Sequence, residues 1–181
     1  MQPSPTNPTQ AQQAPQAPAP NPHYLRLGGH DAVVRLVDAF YRAMDTREDA
    51  RTIRAMHEPD LTATKRVLVD YLSEWMGGPK RYTPSRGAPM LRRRHHPFDI
   101  DEAARDAWMA CMRQALAVAC EDAALRADLD AAFWKVADFI RNTESGGQSR
   151  PHPGRPMEVA PHQVPPTHAS AAAPDAGPRV D

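Results

Sequence analysis

The chain has 181 residues, among them twenty prolines, with 22 basic and 22 acidic side chains and a formal net charge of zero. That length suffices for one domain with a real core, and no stretch approaches the ~18 consecutive apolar residues that a spanning helix needs. The charge balance, with acids and bases alternating through the middle of the chain, argues against nucleic acid and anionic membrane as partners.

Proline placement divides the chain. Seven prolines precede His23 and eight follow Gly146, which leaves a folded domain expected over residues 23–146. Residues 1–22 are proline, glutamine, alanine and asparagine without apolar periodicity, so they cannot bury enough surface to offset the entropy of ordering them, and a disordered tail is expected. They also lack the basic start and apolar run of a secretory signal, which points to the cytoplasm.

From Asp31 to about Met44 the apolar residues Val33, Val34, Leu36, Val37, Phe40, Tyr41 and Met44 recur at helical spacing, predicting an amphipathic helix entered from Gly28-Gly29. A second helix is predicted from Thr62, with Leu68, Tyr71, Leu72 and Trp75 on one stripe and Gly77-Gly78-Pro79 as its stop. The next stretch, through Pro84 and Gly87, reads as mostly irregular; Pro89 opens a short helix that Pro97 closes at about His96. Asp99 followed by Glu102 resembles a capping box and starts a long helix with Ala104, Trp108, Cys111, Met112, Ala115 and Ala119 as its stripe. A final helix runs from about Asp122 to Arg141 on Leu125, Leu129, Phe133, Val136 and Ile140. No segment alternates with period two, so the fold class is all-α.

Cys111 and Cys120 lie nine residues apart in one helical pattern, about 13 Å along the axis, too far to pair and without zinc-site spacing. They read as small core residues of a reducing compartment. Residues 147–181 carry His152, His162 and His168 among prolines and small residues, a solvated tail rather than a preorganised metal site.

Chemistry concentrates between the second and third long helices, where some 20 residues do not follow the short-loop habit of a helical bundle. His95 stands four residues after Leu91 and shares its apolar face, whereas His96 follows Arg92 and Arg93 toward solvent. An inward histidine on a short helix between two prolines is as good a candidate for a metal ligand as for a core residue.

The ordered series Trp75-Met76-Gly77-Gly78-Pro79, Tyr82, Gly87, Pro89, Leu91-Arg92-Arg93-Arg94-His95, Phe98, Ile100, Arg105-Asp106-Ala107-Trp108 and Cys111-Met112 resembles the group II truncated haemoglobins. The resemblance runs from about Tyr24 to Asn142 and implies a truncated globin-like two-over-two helical sandwich around a haem. It implies haem b with His95 as the proximal iron ligand, Tyr41 and Trp108 over the opposite, distal side, and His57 in or beside their hydrogen-bond network. Thr64 and Leu68, four apart, are expected to line the distal pocket, with Thr64 where longer globins carry a distal histidine. Tyr82 and Phe98 complete the expected pocket. Arg92, three residues before the ligand, is the expected partner of a haem propionate. The chain departs from the family pattern at Ala88 and Ala104, which bear on local caps and surface contacts and not on the ligand set.

The function expected from this resemblance is reversible binding of oxygen, together with carbon monoxide and nitric oxide, and the pattern leaves self-association into a homo-oligomer open. The alternative is a haem enzyme that oxidises nitric oxide or turns over peroxide with electrons from an external reductase. A haem-free helical interaction module is the third reading.

Overall fold

The computed structural model describes residues 22–144; the tail expectations for residues 1–21 and 145–181, including His152, His162 and His168, lie outside the described residues. Among the described residues the regular structure is helical throughout, and no helix is long and apolar enough to cross a membrane. The helices are α1 His23–Leu27, α2 Gly29–Thr46, α3 Arg51–Ala55 after a 3-10 turn at Glu48–Ala50, α4 Thr62–Trp75, α5 Thr83–Arg86, α6 Leu91–His95, α7 Glu102–Ala119 and α8 Ala123–Ile140.

Four long helices carry the core. The predicted stripe of α2 is buried along Val33, Leu36, Val37, Phe40, Tyr41 and Met44. Helix α2 packs on α4 and on α7, and α7 packs on α8, so two antiparallel pairs lie one upon the other. Met109 and Met112 of α7 and Leu125 and Leu129 of α8 belong to the core with essentially no exposure. Helix α4 buries Thr64, Val69, Leu72 and Ser73, while Leu68, Tyr71 and Trp75 keep one side open. Gly77 ends it in the left-handed region at φ 88°, where glycine is free of the Cβ penalty.

Two elements differ from the sequence expectation. The helix predicted from Asp31 is preceded by α1, a turn too short to show periodicity, which Gly28 closes at φ 111°. The cap of α7 is Asp101, whose side chain accepts the Ala104 N–H at 2.9 Å, and not Asp99. The reason is nonlocal: Asn142 holds Ile100 by its backbone N–H and carbonyl, which keeps Asp101 extended and delays the helix by two residues. Asp122, the expected start of the last helix, caps α8 by accepting the Leu125 N–H at 3.0 Å. Cys111 and Cys120 are buried and free, and burial pushes both thiols above their ordinary range.

Candidate functional site

Helix α6 is a five-residue piece whose first turn starts from Met90 at φ 46°, a left-handed conformation rare outside glycine. One turn separates Leu91 from His95, and His95 Nδ1 donates to the Leu91 carbonyl at 2.8 Å. A carbonyl can only accept, so in the neutral ring the proton sits on Nδ1 and the lone pair on Nε2. Burial holds the His95 pKa below the ordinary histidine value, opposed by the bond to Leu91 and helped by the charge of Arg94. The ring is therefore neutral at neutral pH with Nε2 available as a donor of electrons. His96, its neighbour, is exposed.

A second anchor was not legible in the sequence. Asn142 Nδ2 donates to the His95 carbonyl at 3.1 Å and to the Phe98 carbonyl at 2.8 Å, while its Oδ1 accepts the Ile100 N–H at 2.9 Å. One side chain beyond the end of α8 thus fixes the end of α6 and the link to α7. No local pattern announces a contact that spans 47 residues.

Aromatic rings from four other helices, α2, α4, α7 and α8, pack in series. Tyr41 of α2 is 3% exposed and meets the His57 ring edge-on at 5.6 Å and the Phe40 ring at 5.0 Å. Trp108 of α7 lies 5.3 Å from Phe40 and 5.9 Å from Phe133, which in turn stacks on Trp75 at 5.0 Å. Burial drives the Tyr41 pKa far above the ordinary tyrosine value, so its hydroxyl keeps its proton at any working pH.

His57 repeats the arrangement of His95, donating from Nδ1 to the Ile53 carbonyl at 2.8 Å. Its pKa is lowered by burial first, then by the charges of Arg54 and His95, against the Ile53 bond that raises it. It too is neutral at neutral pH, with the Nε2 lone pair free. The loop that carries it is clamped by Arg54, which bonds Asp45 at 2.6 Å and the carbonyls of Glu58 and Pro59 at 3.0 and 3.2 Å.

The remaining expected residues are more dispersed. Thr64 is buried on α4, and Leu68, one turn later, packs against the core while half-exposed. Tyr82 is buried with its ring 5.5 Å from Tyr71 and under the Arg94 guanidinium at 6.0 Å, so the structure groups it with α4 and α6 rather than with Tyr41. Phe98 is buried beyond α6. Arg92 is exposed and lies over the Phe139 ring at 5.4 Å.

These residues fit a haem. Leu68, Tyr71, Trp75, Ile100 and Trp108 are large apolar side chains with one side against the core and the other open, as a flat apolar ring requires. No group of three or more histidine, cysteine, aspartate or glutamate side chains among the described residues can hold a bare metal ion. His95, offering one neutral nitrogen, suits an iron already held by a macrocycle. Its bond to Leu91 is the outer-shell partner that ligating histidines use to fix tautomer and basicity.

Helical pairs stacked two over two, with a single inward histidine on a short helix, define a globin. Residues 23–142 match the model of the bacterial-like globins, and the chain belongs to that family. Its relatives there are group II truncated haemoglobins. Over 88 residues it is 38% identical to the group 2 truncated hemoglobin YjbI of Bacillus subtilis (strain 168), a stretch that covers 49% of this chain and 64%, less than two thirds, of that relative. Among solved structures, the cold-adapted truncated hemoglobin of the Antarctic marine bacterium Pseudoalteromonas haloplanktis TAC125 superposes with a TM-score of 0.65 at 36% identity, covering 67% of this chain and 98% of that one. The group II 2-on-2 hemoglobin of the plant pathogen Agrobacterium tumefaciens gives 0.65 at 34% identity, covering 75% of this chain and 99% of that one.

Proposed function

We propose that this globin binds oxygen reversibly, and with it carbon monoxide and nitric oxide, at a ferrous haem b ligated by Nε2 of His95. The observation that carries the reading is the His95 imidazole, neutral, tied through Nδ1 to Leu91 and held at its carbonyl by Asn142. When bound, the haem supplies a ferrous iron with one coordination position left for a diatomic gas. A b-type group is the reading because neither Cys111 nor Cys120 belongs to the Cys-x-x-Cys-His pattern of covalent attachment.

Each side chain then has a definite task. Tyr41 and Trp108 present an O–H and an N–H from otherwise apolar bodies and donate to the partial negative charge on a polarised gas. Neutral His57, edge-on to Tyr41 at 5.6 Å, has no proton on Nε2, so it serves the distal side as an acceptor and not as a donor to the gas. Thr64 and Leu68 keep the distal side small and dry, and Arg92 is placed to pair with a propionate.

The test is spectroscopic. Purified protein is expected to be red, to give the pyridine haemochrome of haem b, and to change spectrum reversibly with oxygen after reduction. His95→Ala should lose the haem while His96→Ala keeps it. A colourless wild type, or haem retained by the His95 variant and lost by the His96 variant, would overturn the assignment.

A further inference from the structure

Residues 75–98 contain six cations, Lys80, Arg81, Arg86, Arg92, Arg93 and Arg94, and no acidic residue. Over the rest of residues 23–144 there are thirteen cations against nineteen carboxylates. Unopposed cations are thus concentrated along the segment that carries His95, with Asp138 and Glu144 near Arg92 and Asp38 and Asp70 near Arg81 at its margins. Eight cations elsewhere, among them Arg26, Arg47, Arg54 and Arg105, form ion pairs; none of these six does so among the described residues, and with Arg92 assigned to a propionate five remain for a partner. Five of the six are exposed and Arg86 is half-buried. Glu74, the carboxylate near Lys80, is engaged by the backbone N–H groups of Tyr82 and Thr83 and by the Thr83 hydroxyl. Arg94 is held in place by the carbonyls of Pro89 and Arg86, which fix its position and leave its charge uncompensated. Met90, 53% exposed, supplies an apolar centre among the charges.

We propose that this α5–α6 face docks a small acidic one-electron carrier protein that keeps the haem reduced. The proposal rests on the haem reading above. An unpaired, single-sign patch raises the encounter rate with a partner of opposite sign and adds nothing to the stability of the fold. A compact acidic protein matches a patch bordered by acidic surface. An extended polyanion, such as a lipid sheet or nucleic acid, would overrun the patch and meet the excess carboxylates beyond it. An electron carrier is the partner with a reason to dock here, because electron transfer falls off steeply with distance and α6 holds the iron's ligand. The exchange balances as one electron: the carrier's reduced centre is oxidised by one, ferric haem is reduced by one to ferrous, and no bond or proton changes hands.

The test uses ferric holoprotein and an acidic [2Fe–2S] ferredoxin as the probe. Binding is measured calorimetrically with both proteins oxidised, and reduction is followed by stopped flow with the ferredoxin reduced. Photoreduced riboflavin, a small neutral donor, serves as reference. Binding and ferredoxin-driven reduction are expected to weaken by roughly tenfold or more from low to high salt. The triple variant Lys80→Glu/Arg81→Glu/Arg93→Glu should keep the wild-type spectrum and riboflavin rate while losing at least about tenfold in both ferredoxin readouts. No binding by wild type, or equal binding and rates in the triple variant, overturns the proposal. So does tighter binding of phosphatidylserine vesicles or of a DNA duplex than of ferredoxin. A colourless preparation overturns the haem reading beneath it, whereas a red protein indifferent to ferredoxin overturns only the docking.

Discussion

Replacing Trp108 by phenylalanine tests how the distal side treats its ligand. The indole ring packs 5.3 Å from Phe40 and 5.9 Å from Phe133, and phenylalanine preserves most of that contact while removing the N–H. A neutral hydrogen bond contributes about 0.5–1.5 kcal/mol net, and 1.4 kcal/mol is about tenfold in an equilibrium. Beside the apolar rings of Phe40 and Phe133 the upper end applies, so oxygen should leave roughly tenfold faster from Trp108→Phe. Carbon monoxide, which carries little charge on its outer atom, should change less. Tyr41→Phe should act in the same direction by a smaller factor, since the remaining indole compensates in part. The assay is stopped-flow displacement of oxygen by excess carbon monoxide. Equal oxygen off-rates in wild type and Trp108→Phe would remove Trp108 from the distal site and leave it a core aromatic.

Three further perturbations address the frame of the site. Asn142→Ala deprives the Ile100 N–H of its side-chain partner and the carbonyls of His95 and Phe98 of theirs, so a loss of about 1–3 kcal/mol is expected in denaturant unfolding. It should also speed haem transfer to apomyoglobin, a change that a purely structural role would not produce. Gly78→Ala would place a Cβ 2.6 Å from the Tyr24 ring and 2.7 Å from the Ser73 carbonyl, and a cost of about 1–3 kcal/mol should appear as a lower urea midpoint with an unchanged haem spectrum. His57 and His95 both titrate below the ordinary value of 6.5, so the unfolded chain binds more protons than the native one. The stability linked to them is complete above pH 6.5 and is lost as pH falls through the depressed native values; apoprotein melting should therefore drop between pH 7.5 and 5.5, and His57→Phe should flatten the drop.

The fold was legible wherever burial followed a local period. Val33 to Met44 gave α2 its buried face, and the Gly77-Gly78-Pro79 stop marked the end of α4 to within a residue or two. What was missed is short or nonlocal. Helix α1 is one turn, below any periodicity, and Asp101 caps α7 because a side chain 41 positions later holds the preceding backbone. The aromatics proposed for the distal side show a different limit. Tyr41 and Trp108 sit on apolar stripes, and pattern alone reads each as core. Resemblance to a family separates them from Phe40 and Phe133, because a buried ring with a polar tip has the same periodicity as one without.

His57 and His95 make the last distinction physical. Both place Nδ1–H on the carbonyl four residues before and both leave Nε2 bare, so tautomer alone assigns them no different task. Their mounts differ. His95 stands on a helix preceded by Pro89, followed by Pro97 and held at its end by Asn142. His57 stands in a loop whose position depends on one guanidinium, Arg54, shared among Asp45, Glu58 and Pro59. In the proposed function the first mount holds the ligand to iron, and the Arg54 clamp sets where the His57 acceptor meets Tyr41. On this reading Arg54→Lys, which keeps the charge but cannot reproduce the fork of contacts, should raise the oxygen off-rate by about two- to tenfold while haem retention stays at the wild-type level. An unchanged off-rate would mean that His57 only packs against Tyr41.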